Sequence, residues 1–408
     1  MSGNWKGKLQ KVDLEKLLGQ DVVSFKATIL TEAGDNYGSI MLAVDVILHS
    51  EKELNLVAKI FPQLEETRVL FKSPLSMRKE IDMYKLVSPE FDKIQEEHSV
   101  PLSERLHIFC HCPGARLTLQ GYDDRPLADE DSILLLENLK VQGYRVADRV
   151  LGQDLTHAEL VMTDLAKFHA TGIAIKLRKP EVFRNKLMKA CEAFKIRISS
   201  LENDHLQGKN FVESLRRIPI CEQKINLIYE HIKNFIDYSH SDEFRYPTEI
   251  FGTIIHDDLW TNNMMFKYRS VKDNDPIGVK IYDFQVVRYG SPLTDVIFYL
   301  FTSTITGIVT KHLDMLLKLY YNSFVDWLKI LGCDTTEFQF NVFLGEVKSA
   351  AQLELIHILY WLFPITLHKD QLEEFKTGSP HENVIDFNED FIQKARDTIT
   401  VFSERNWL

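Results

Sequence analysis

The sequence predicts an α+β fold of two lobes, with an N-terminal antiparallel sheet plus helix and a larger, mainly helical C-terminal lobe. One observation is length, because 408 residues exceed one ordinary domain. The other is a change of pattern, since β-prone runs dominate before Glu137 and apolar residues at helical spacing dominate after Leu139. We therefore expect an N-terminal lobe at residues 1–138 and a C-terminal lobe at residues 139–408.

Three strands are predicted within residues 22–61. The β-prone runs Val23 to Thr31 and Ile40 to Leu48 flank a turn that contains glycine, which predicts a hairpin. A third run, Leu54 to Phe61, follows a short polar turn and carries Lys59 near its end.

A helix is predicted after the third strand. Ser73 offers an N-cap and Pro74 a first-turn proline. Met77, Glu80 and Tyr84 share one stripe of that helix. Further strands are predicted in this lobe at 105–111, 115–120 and Ile133 to Leu136.

The C-terminal lobe opens with a helix. Thr156 and Glu159 form a capping-box pattern, and the helix that follows carries His169 and stops near Gly172. Strands are predicted at Met264 to Tyr268 and Val279 to Tyr282. Further helices are predicted at 181–201, 222–239, 292–306, 311–332, 339–361 and Asn388 to Phe402.

Composition excludes several classes of protein. A formal net charge of −11 without a basic tract argues against a non-specific nucleic-acid binder. Met1 to Gln10 has no apolar core, so it is not a secretory signal. The longest uncharged runs, Val296 to Thr310 and Leu355 to Leu367, are too short for a membrane span and predict buried helices.

The five cysteines are odd in number and mostly far apart, which fits a reducing cytoplasm. A local group of His107, Cys110, His111 and Cys112 raises the alternative of zinc. On a strand the two histidines would face away from the two cysteines, and the paired Cys-x-x-Cys spacing is missing. A plain strand with reduced thiols is therefore favoured.

The stretch from His256 to Asn263 carries the strongest chemical signal. It reads His-Asp-Asp-Leu-Trp-Thr-Asn-Asn, and four of its eight positions match the catalytic-loop pattern H-R-D-L-x-x-x-N of protein kinases. Asp283-Phe284 follows on a separate predicted strand, as D-F-G does in that pattern. In this chemistry Asp258 is the general base, and Asn263 and Asp283 are the Mg²⁺ ligands. Each residue also has a purely structural alternative. Asp258 and Asn263 could stabilise turns, and Asp283 could form an ion pair at the end of a strand.

Lys59 matches the lysine of the V-A-I-K strand, and Glu80 on the next helix is its predicted ion-pair partner. Together they would hold the nucleotide's α- and β-phosphates. Glu66 and Asp82 are weaker rivals for the partner's role. The turn Gly34-Asp35-Asn36-Tyr37 lies before the Lys59 strand and would cover the phosphates with its backbone amides, although it departs from G-x-G-x-x-G.

Other residues near these motifs are predicted to be structural. Asp295 should accept backbone hydrogen bonds from the catalytic loop, and His169 should be a hydrogen-bonded core residue. We expect Asp257 to point into solvent, because a second carboxylate beside Asp258 would raise its pKa. The aromatic residues Trp260, Trp361 and Phe363 are predicted to be core, with the wall of an apolar acceptor pocket as the alternative.

The interval between Asp283 and Asp295 bears on the acceptor. Asp295 comes twelve residues after Asp283, and no A-P-E follows. A protein-kinase activation segment does not fit there, so a protein substrate is disfavoured and a small-molecule acceptor is expected.

Together these residues resemble the choline kinase and aminoglycoside phosphotransferase branch of the protein-kinase-like fold, and more closely the insect ecdysteroid kinase-like family. The matching segments run from about residue 20 to about 305. They include Gly34 to Tyr37, Leu134 to Leu139, Leu165 to Ala170, His256 to Phe266, and Asp283 to Gln285 with Tyr289 to Pro292 and Asp295.

The resemblance implies a two-lobed protein-kinase-like fold and ATP-dependent phosphorylation of a hydroxyl on a small lipophilic molecule, such as an ecdysteroid or a xenobiotic alcohol. It also implies that the backbone of Glu137, Asn138 and Leu139 binds adenine, with Mg²⁺ beside the phosphates. Asp257 departs from the family, where glycine is common. A choline-type kinase and a non-catalytic ligand-binding relative remain alternatives.

Overall fold

The computed structural model describes residues 8–30, 39–120, 127–191, 211–240, 250–270, 272–368, 371 and 385–408. The chain forms two compact units. The first comprises Met1–Arg145, Glu181–Glu192 and Lys280–Val287, and the second comprises Val146–Pro180, Ala193–Val279 and Arg288–Leu408. The predicted lobe boundary after residue 138 stays a prediction.

The helices and strands are numbered here in chain order. The helices are α1 (Lys11–Leu18), α2 (Glu65–Leu70), α3 (Ser73–Asp82), α4 (Ser88–Glu97), α5 (Leu155–Arg178), α6 (Pro219–His240), α7 (Pro292–Ser303), α8 (Ile308–Ile330), α9 (Phe340–Thr366) and α10 (Glu389–Glu404). The strands are β1 (Val22–Ile29), β2 (Ile40–Leu48), β3 (Glu53–Ile60), β4 (Gly114–Arg116), β5 (Ile133–Glu137), β6 (Tyr144–Arg145), β7 (Thr253–Ile255), β8 (Met264–Tyr268), β9 (Pro276–Ile281) and β10 (Arg288–Gly290). Short helical segments lie at Met83–Val87, Pro180–Val182, Phe183–Leu187, Met188–Ala190, Thr261–Asn263 and Phe284–Val286.

The first unit is built on a five-stranded antiparallel sheet in the order β1-β2-β3-β5-β4. Leu42, Val44 and Val46 alternate along β2 and are buried, because successive side chains of a strand point to opposite faces. They pack with Leu56 of β3 and Leu14 of α1 in one apolar core. The predicted antiparallel N-terminal sheet is confirmed.

Helix α3 begins one residue earlier than predicted. Lys72, in the left-handed region at φ 46°, precedes the helix, and Ser73 is already helical. The proposed N-cap at Ser73 is therefore wrong, while Pro74 keeps its place in the first turn, where its missing N–H costs nothing. The predicted stripe is confirmed, since Met77, Glu80 and Tyr84 are all buried.

The segment 105–111 does not form the predicted strand. It carries an isolated bridge between Phe109 and Ile281, and the backbone N–H of Leu106 donates to the side chain of Gln95 instead of to a neighbouring strand. The next predicted strand, 115–120, is reduced to β4.

The second unit is mainly helical, as predicted for the C-terminal lobe. Helix α5 packs along α8, and α7 packs against α9. Every residue of α7 is buried, which explains its nearly continuous apolar sequence. Among the described helices, none is both long enough and apolar enough to cross a membrane.

The start of α5 differs from the predicted capping box. Asp154 is the N-cap, and its carboxylate accepts the backbone N–H of His157 at 3.1 Å. Thr156 donates its hydroxyl to Asp154 instead of capping the helix. A charged acceptor at the helix N-terminus is favoured by the helix dipole.

The loop before α5 is fastened to the end of α7. Gln153 donates its N–H to Ser303 at 2.8 Å and accepts the N–H of Ile305 at 2.9 Å. Gly152 lies beside this contact at φ 86°, and a Cβ there would approach the carbonyl carbon of Thr304 to 2.7 Å. Only glycine fits both the backbone conformation and the space.

We predict that Gly152→Ala lowers the free energy of unfolding by about 3 kcal/mol, from left-handed strain plus overpacking. Gly345→Ala is the matched control, since its Cβ would meet no atom within 4 Å in the middle of α9. That control should raise stability by about 0.5–1 kcal/mol. Urea denaturation measures both, and equal effects of the two substitutions would contradict the assignment.

Candidate active site

Lys59 is the centre of a charged cluster in the first unit. It lies on β3 between Met41 of β2 and Leu134 of β5, and it is 4% exposed. Its ammonium forms ion pairs with Glu80 Oε2 at 2.6 Å and with Asp283 Oδ1 at 2.7 Å. The predicted pairing with Glu80, over its rivals Glu66 and Asp82, is confirmed.

Two local structures bring the carboxylates to Lys59. Glu80 projects from the buried stripe of α3, which packs against the short 3-10 turn at Phe284–Val286. Asp283 precedes that turn in the left-handed conformation, at φ 67°. The ring of Phe284 is buried and meets Tyr84 edge-on at 5.8 Å, so the turn is anchored by aromatic packing.

The electrostatics of the cluster follow from one ammonium between two carboxylates. Burial alone would lower the pKa of Lys59, but Asp283 and Glu80 outweigh it and hold the pKa well above its ordinary value. Burial, aided by Asp283 and opposed by Lys59, raises the pKa of Glu80 to about 7. Lys59 is therefore charged at neutral pH, and Asp283, with its side chain 20% exposed, is the more accessible acid.

In the predicted adenine-binding segment, two of the three backbone N–H groups form hydrogen bonds within the first unit. The N–H of Glu137 donates to His111 at 2.9 Å, and the N–H of Asn138 donates to Asn55 at 3.0 Å. The carboxylate of Glu137 accepts from His111 N–H and from Gln142. Within the described ranges the N–H of Leu139 has no such partner.

The phosphate-covering turn predicted at Gly34, Asp35, Asn36 and Tyr37 lies outside the described residues. Its role stays a prediction.

The catalytic-loop motif forms a closed turn in the second unit. The side-chain amide of Asn263 donates to the backbone carbonyl of Asp258 at 2.8 Å and to its Oδ2 at 3.0 Å. The backbone N–H of Asn263 also donates to Trp260 at 2.9 Å. The five-residue spacing thus fixes the Asp258 carboxylate, and no described residue donates to the amide oxygen of Asn263.

Asp295 holds the loop from behind, as predicted. Its carboxylate accepts the backbone N–H of His256 at 2.7 Å and of Asp257 at 2.8 Å. His169 Nε2 lies 3.2 Å from the same carboxylate, and Tyr320 bonds to His169 Nδ1 at 2.9 Å. Burial would raise the pKa of Asp295, but its hydrogen bonds with His169 and His256 hold the pKa below the ordinary value. His169 is buried, and burial lowers its pKa, so it is the core histidine that was predicted.

Asp257 does not point into solvent, and that prediction was wrong. Its Oδ2 accepts from Nε of Arg288 at 2.7 Å, with side-chain exposures of 19% and 10%. Arg288 reaches it because β10 pairs with β7, which places Arg288 opposite Ile255. Asp257 adopts φ 64°, the region that favours glycine, so the ion pair holds a residue whose backbone is strained.

Three side chains of this region could not be assigned a role from the sequence. Arg288 was not predicted because its partner, Asp257, is 31 residues away and no spacing rule links the two. His357 and Glu354 on α9 form a pair at 2.8 Å. Their spacing on a helix was a usable signal, but nothing in the sequence tied that helix to the catalytic loop.

The predictions that Trp260, Trp361 and Phe363 are core residues need correction. Trp260 and Trp361 are only partly buried, so they are not core residues, and their ring centroids lie 6.0 Å apart. Phe363 is also partly buried, and it packs against Phe387 and Phe391 of the second unit.

A family model agrees with these motifs. The model of the ecdysteroid kinase-like family matches residues 33–333. The chain belongs to the ecdysteroid kinase-like family. The match spans most of the chain and includes Lys59, Glu80, the loop from His256 to Asn263, and Asp283. No curated protein sequence matches this ecdysteroid kinase-like protein.

Solved structures similar to this ecdysteroid kinase-like protein include three enzymes of low identity. A spectinomycin phosphotransferase in complex with ADP and spectinomycin is 8% identical, with a TM-score of 0.42 and coverage of 98% of each chain. An amicoumacin kinase in complex with AMP-PNP and Ca²⁺ is 11% identical, with a TM-score of 0.42 and coverage of 95% of this chain and 98% of that one. A putative fructosamine-3-kinase from Thermobifida fusca is 11% identical, with a TM-score of 0.38 and coverage of 96% and 99%.

We predict that Asp257→Gly lowers the free energy of unfolding by about 2 kcal/mol. The reason is that loss of a partly buried ion pair destabilises the fold more than relief of the left-handed backbone strain stabilises it. Glu51→Gly is the control. Glu51 is exposed at φ 62°, and the described residues show no ion pair for it, so the same change should stabilise by about 1 kcal/mol. Thermal or urea unfolding that shifts both variants in the same direction would refute a stabilising role for the Arg288 pair.

Proposed function

We propose that this protein is an ATP-dependent phosphotransferase that transfers the γ-phosphoryl group to a hydroxyl of a small, lipophilic molecule. The observation that supports it most is the meeting of Lys59, Glu80 and Asp283 at 2.6 and 2.7 Å. These residues are remote in the chain, and this lysine–carboxylate arrangement is the one that positions nucleotide phosphates in kinases. Family membership supports a small-molecule kinase independently.

The proposed roles follow the chemistry of each side chain. Lys59 contacts the α- and β-phosphates and Glu80 holds its ammonium in place. Gly34, Asp35, Asn36 and Tyr37 cover the phosphates with backbone N–H groups. In the segment from Glu137 to Leu139, Leu139 is the residue whose N–H is not engaged by a described residue, and we assign it the contact with adenine.

The residues present fit a divalent metal. Asn263 uses its amide nitrogen on Asp258, which leaves the amide oxygen as a metal ligand. Asp283 uses Oδ1 on Lys59, which leaves Oδ2. Mg²⁺ takes few protein oxygens and keeps phosphate and water as its other ligands. When bound, the ion would neutralise charge on the phosphates.

Phosphoryl transfer needs a base beside the hydroxyl group that receives the phosphoryl group. The hydroxyl oxygen attacks the γ-phosphorus while Asp258 takes its proton. The bond between the γ-phosphorus and the β–γ bridging oxygen breaks, and ADP carries away that electron pair. The closed turn with Asn263 orients the Asp258 carboxylate before the acceptor arrives.

The acceptor is proposed to be an ecdysteroid-like or xenobiotic alcohol in a reducing, cytoplasmic setting. The eleven residues between Asp283 and Asp295 form a 3-10 turn, strand β10 and the start of α7, and this short interval supports a small-molecule acceptor over a protein substrate. All five cysteines are free thiols.

We predict that Asp258→Asn lowers kcat by about 10²–10⁴-fold, the usual contribution of a general base. Nucleotide binding should persist, because the lysine cluster is untouched. The measurement is ATP consumption with a panel of steroids, phenols, glycosides and choline, with Asp326→Asn on the exposed side of α8 as the control. Wild-type turnover by Asp258→Asn would remove this carboxylate from the reaction.

We also predict that ATP with Mg²⁺ raises the Tm of the wild type and raises that of Lys59→Met far less. The reason is that binding to the folded state stabilises it in proportion to ligand affinity. Arg78→Met is the control, because Arg78 is a similarly buried cation on α3 that pairs with Asp82 instead. A Tm shift in the wild type with no ATP consumption across the whole panel would favour the non-catalytic relative.

A further inference from the structure

A partly exposed aromatic surface lies beside Asp258 in the second unit. It consists of Trp260, Trp361 and His357, hereafter the aromatic wall. Trp260 follows Asp258 by two residues, and its ring lies 6.0 Å from that of Trp361. His357 meets Trp361 edge-on at 6.3 Å. All three side chains are partly buried and partly exposed, and a cluster of partly exposed aromatic side chains is typical of a binding surface.

Helix α9 and packing on the core hold two side chains of the aromatic wall in place. His357 and Trp361 lie four residues apart on α9 and so project from the same side of the helix. The imidazole of His357 is stacked on Phe298 of α7, with centroids 4.4 Å apart and planes 16° apart. Phe298 is 2% exposed. One face of the imidazole is therefore covered by the core, while 25% of the side chain remains accessible.

Glu354 fixes the orientation of His357. Its Oε2 lies 2.8 Å from Nδ1, and because a carboxylate only accepts, Nδ1 carries the proton in this bond. Glu354 itself is buried, with 6% of its side chain exposed. Nε2 has no hydrogen-bond partner within the described part of the chain.

The charge of His357 is set by its neighbours. Burial alone would lower the pKa of His357, but the carboxylates of Glu354, Asp257 and Asp258 outweigh burial and raise it above the ordinary value. Protonation makes Nε2 a donor as well. Trp260, two residues after Asp258 and in contact with Trp361, connects the proposed base to the wall.

We propose that the aromatic wall binds the acceptor and that His357 is its specificity-determining residue, donating from Nε2 to a second oxygen of an uncharged alcohol whose flat apolar face lies on Trp260 and Trp361. This inference rests on the proposed function and specifies its acceptor site. The contact would hold the reacting hydroxyl at Asp258, since two attachment points fix a ligand better than one.

The same geometry disfavours a quaternary ammonium alcohol. Two tryptophans could attract such a cation through their ring faces. However, the buried carboxylate that could neutralise it, Glu354, is already paired with His357. When His357 is protonated, it adds a positive charge to the wall itself, and like charges repel at this range.

The experiment compares five acceptors in wild type and four variants. The acceptors are a vicinal steroid diol, the matching steroid mono-alcohol, benzyl alcohol, glycerol and choline. We expect wild type to prefer the diol over the mono-alcohol by about 10-fold in kcat/KM, the effect of one hydrogen bond to a charged group. His357→Gln should reduce that preference, because the neutral amide of Gln donates a weaker hydrogen bond than an imidazolium. Trp361→Ala should raise the acceptor KM by about 10-fold or more while the KM for ATP stays unchanged.

Tyr360→Ala is the matched control. Tyr360 is the aromatic neighbour of Trp361 on α9, but it is 55% exposed and its ring contacts Phe211. Acceptor kinetics of this variant should equal those of wild type. Should His357→Gln fail to fold, Trp361→Ala and Trp361→Phe still test the wall, with Phe restoring part of the lost affinity.

Failure of this proposal and failure of the proposed function can be told apart. If wild type phosphorylates alcohols and Trp361→Ala and His357→Gln behave like Tyr360→Ala, the wall is refuted and the kinase stands. Choline as the preferred acceptor also refutes it. If wild type consumes no ATP with any acceptor, the kinase is refuted. Quenching of tryptophan fluorescence by the steroid diol, lost in Trp361→Ala, would then still support the wall as a binding surface.

Discussion

The ion pairs of Lys59 are the constraint on which the first unit's chemistry depends. One ammonium, almost withdrawn from water, lies between Glu80 and Asp283 at 2.6 and 2.7 Å. Removing one member of such a cluster leaves an uncompensated buried charge, at a cost of about 3–5 kcal/mol. The cluster also attaches a late segment of the chain, Lys280–Val287, to a sheet built from the first 137 residues. Cohesion of the unit and the proposed contact with phosphate therefore rest on the same ion pairs.

Much of the candidate site could be predicted because its spacing is local. Asp258 and Asn263 are five residues apart, and the turn that joins them is closed by their own hydrogen bonds. Glu80 could be selected over its rivals because a helix repeats every 3.6 residues and the stripe of Met77 and Tyr84 pointed inward. The anchoring role of Asp295 followed from its position after the motif, and its two backbone hydrogen bonds confirm it.

The remainder depends on tertiary distances that no short pattern encodes. Asp257 was expected in solvent because the sequence shows the adjacent carboxylate but not Arg288, which is delivered by the pairing of β10 with β7. The strand predicted at 105–111 is lost because Gln95, eleven residues earlier, captures a backbone N–H. At the start of α5 the predicted cap was Thr156, but Asp154, two residues earlier, caps the helix instead. The partial exposure of Trp260 and Trp361 could not be predicted, because it depends on which residues pack over them in the folded chain.

The left-handed backbone at Asp257 makes this residue dependent on Arg288. Resemblance to the family implies glycine at this position, and glycine adopts such a backbone conformation without strain. An aspartate there without Arg288 would bring both backbone strain and an uncompensated charge beside Asp258. Positions 257 and 288 are therefore coupled, and the effect of a substitution at one of them depends on the residue at the other.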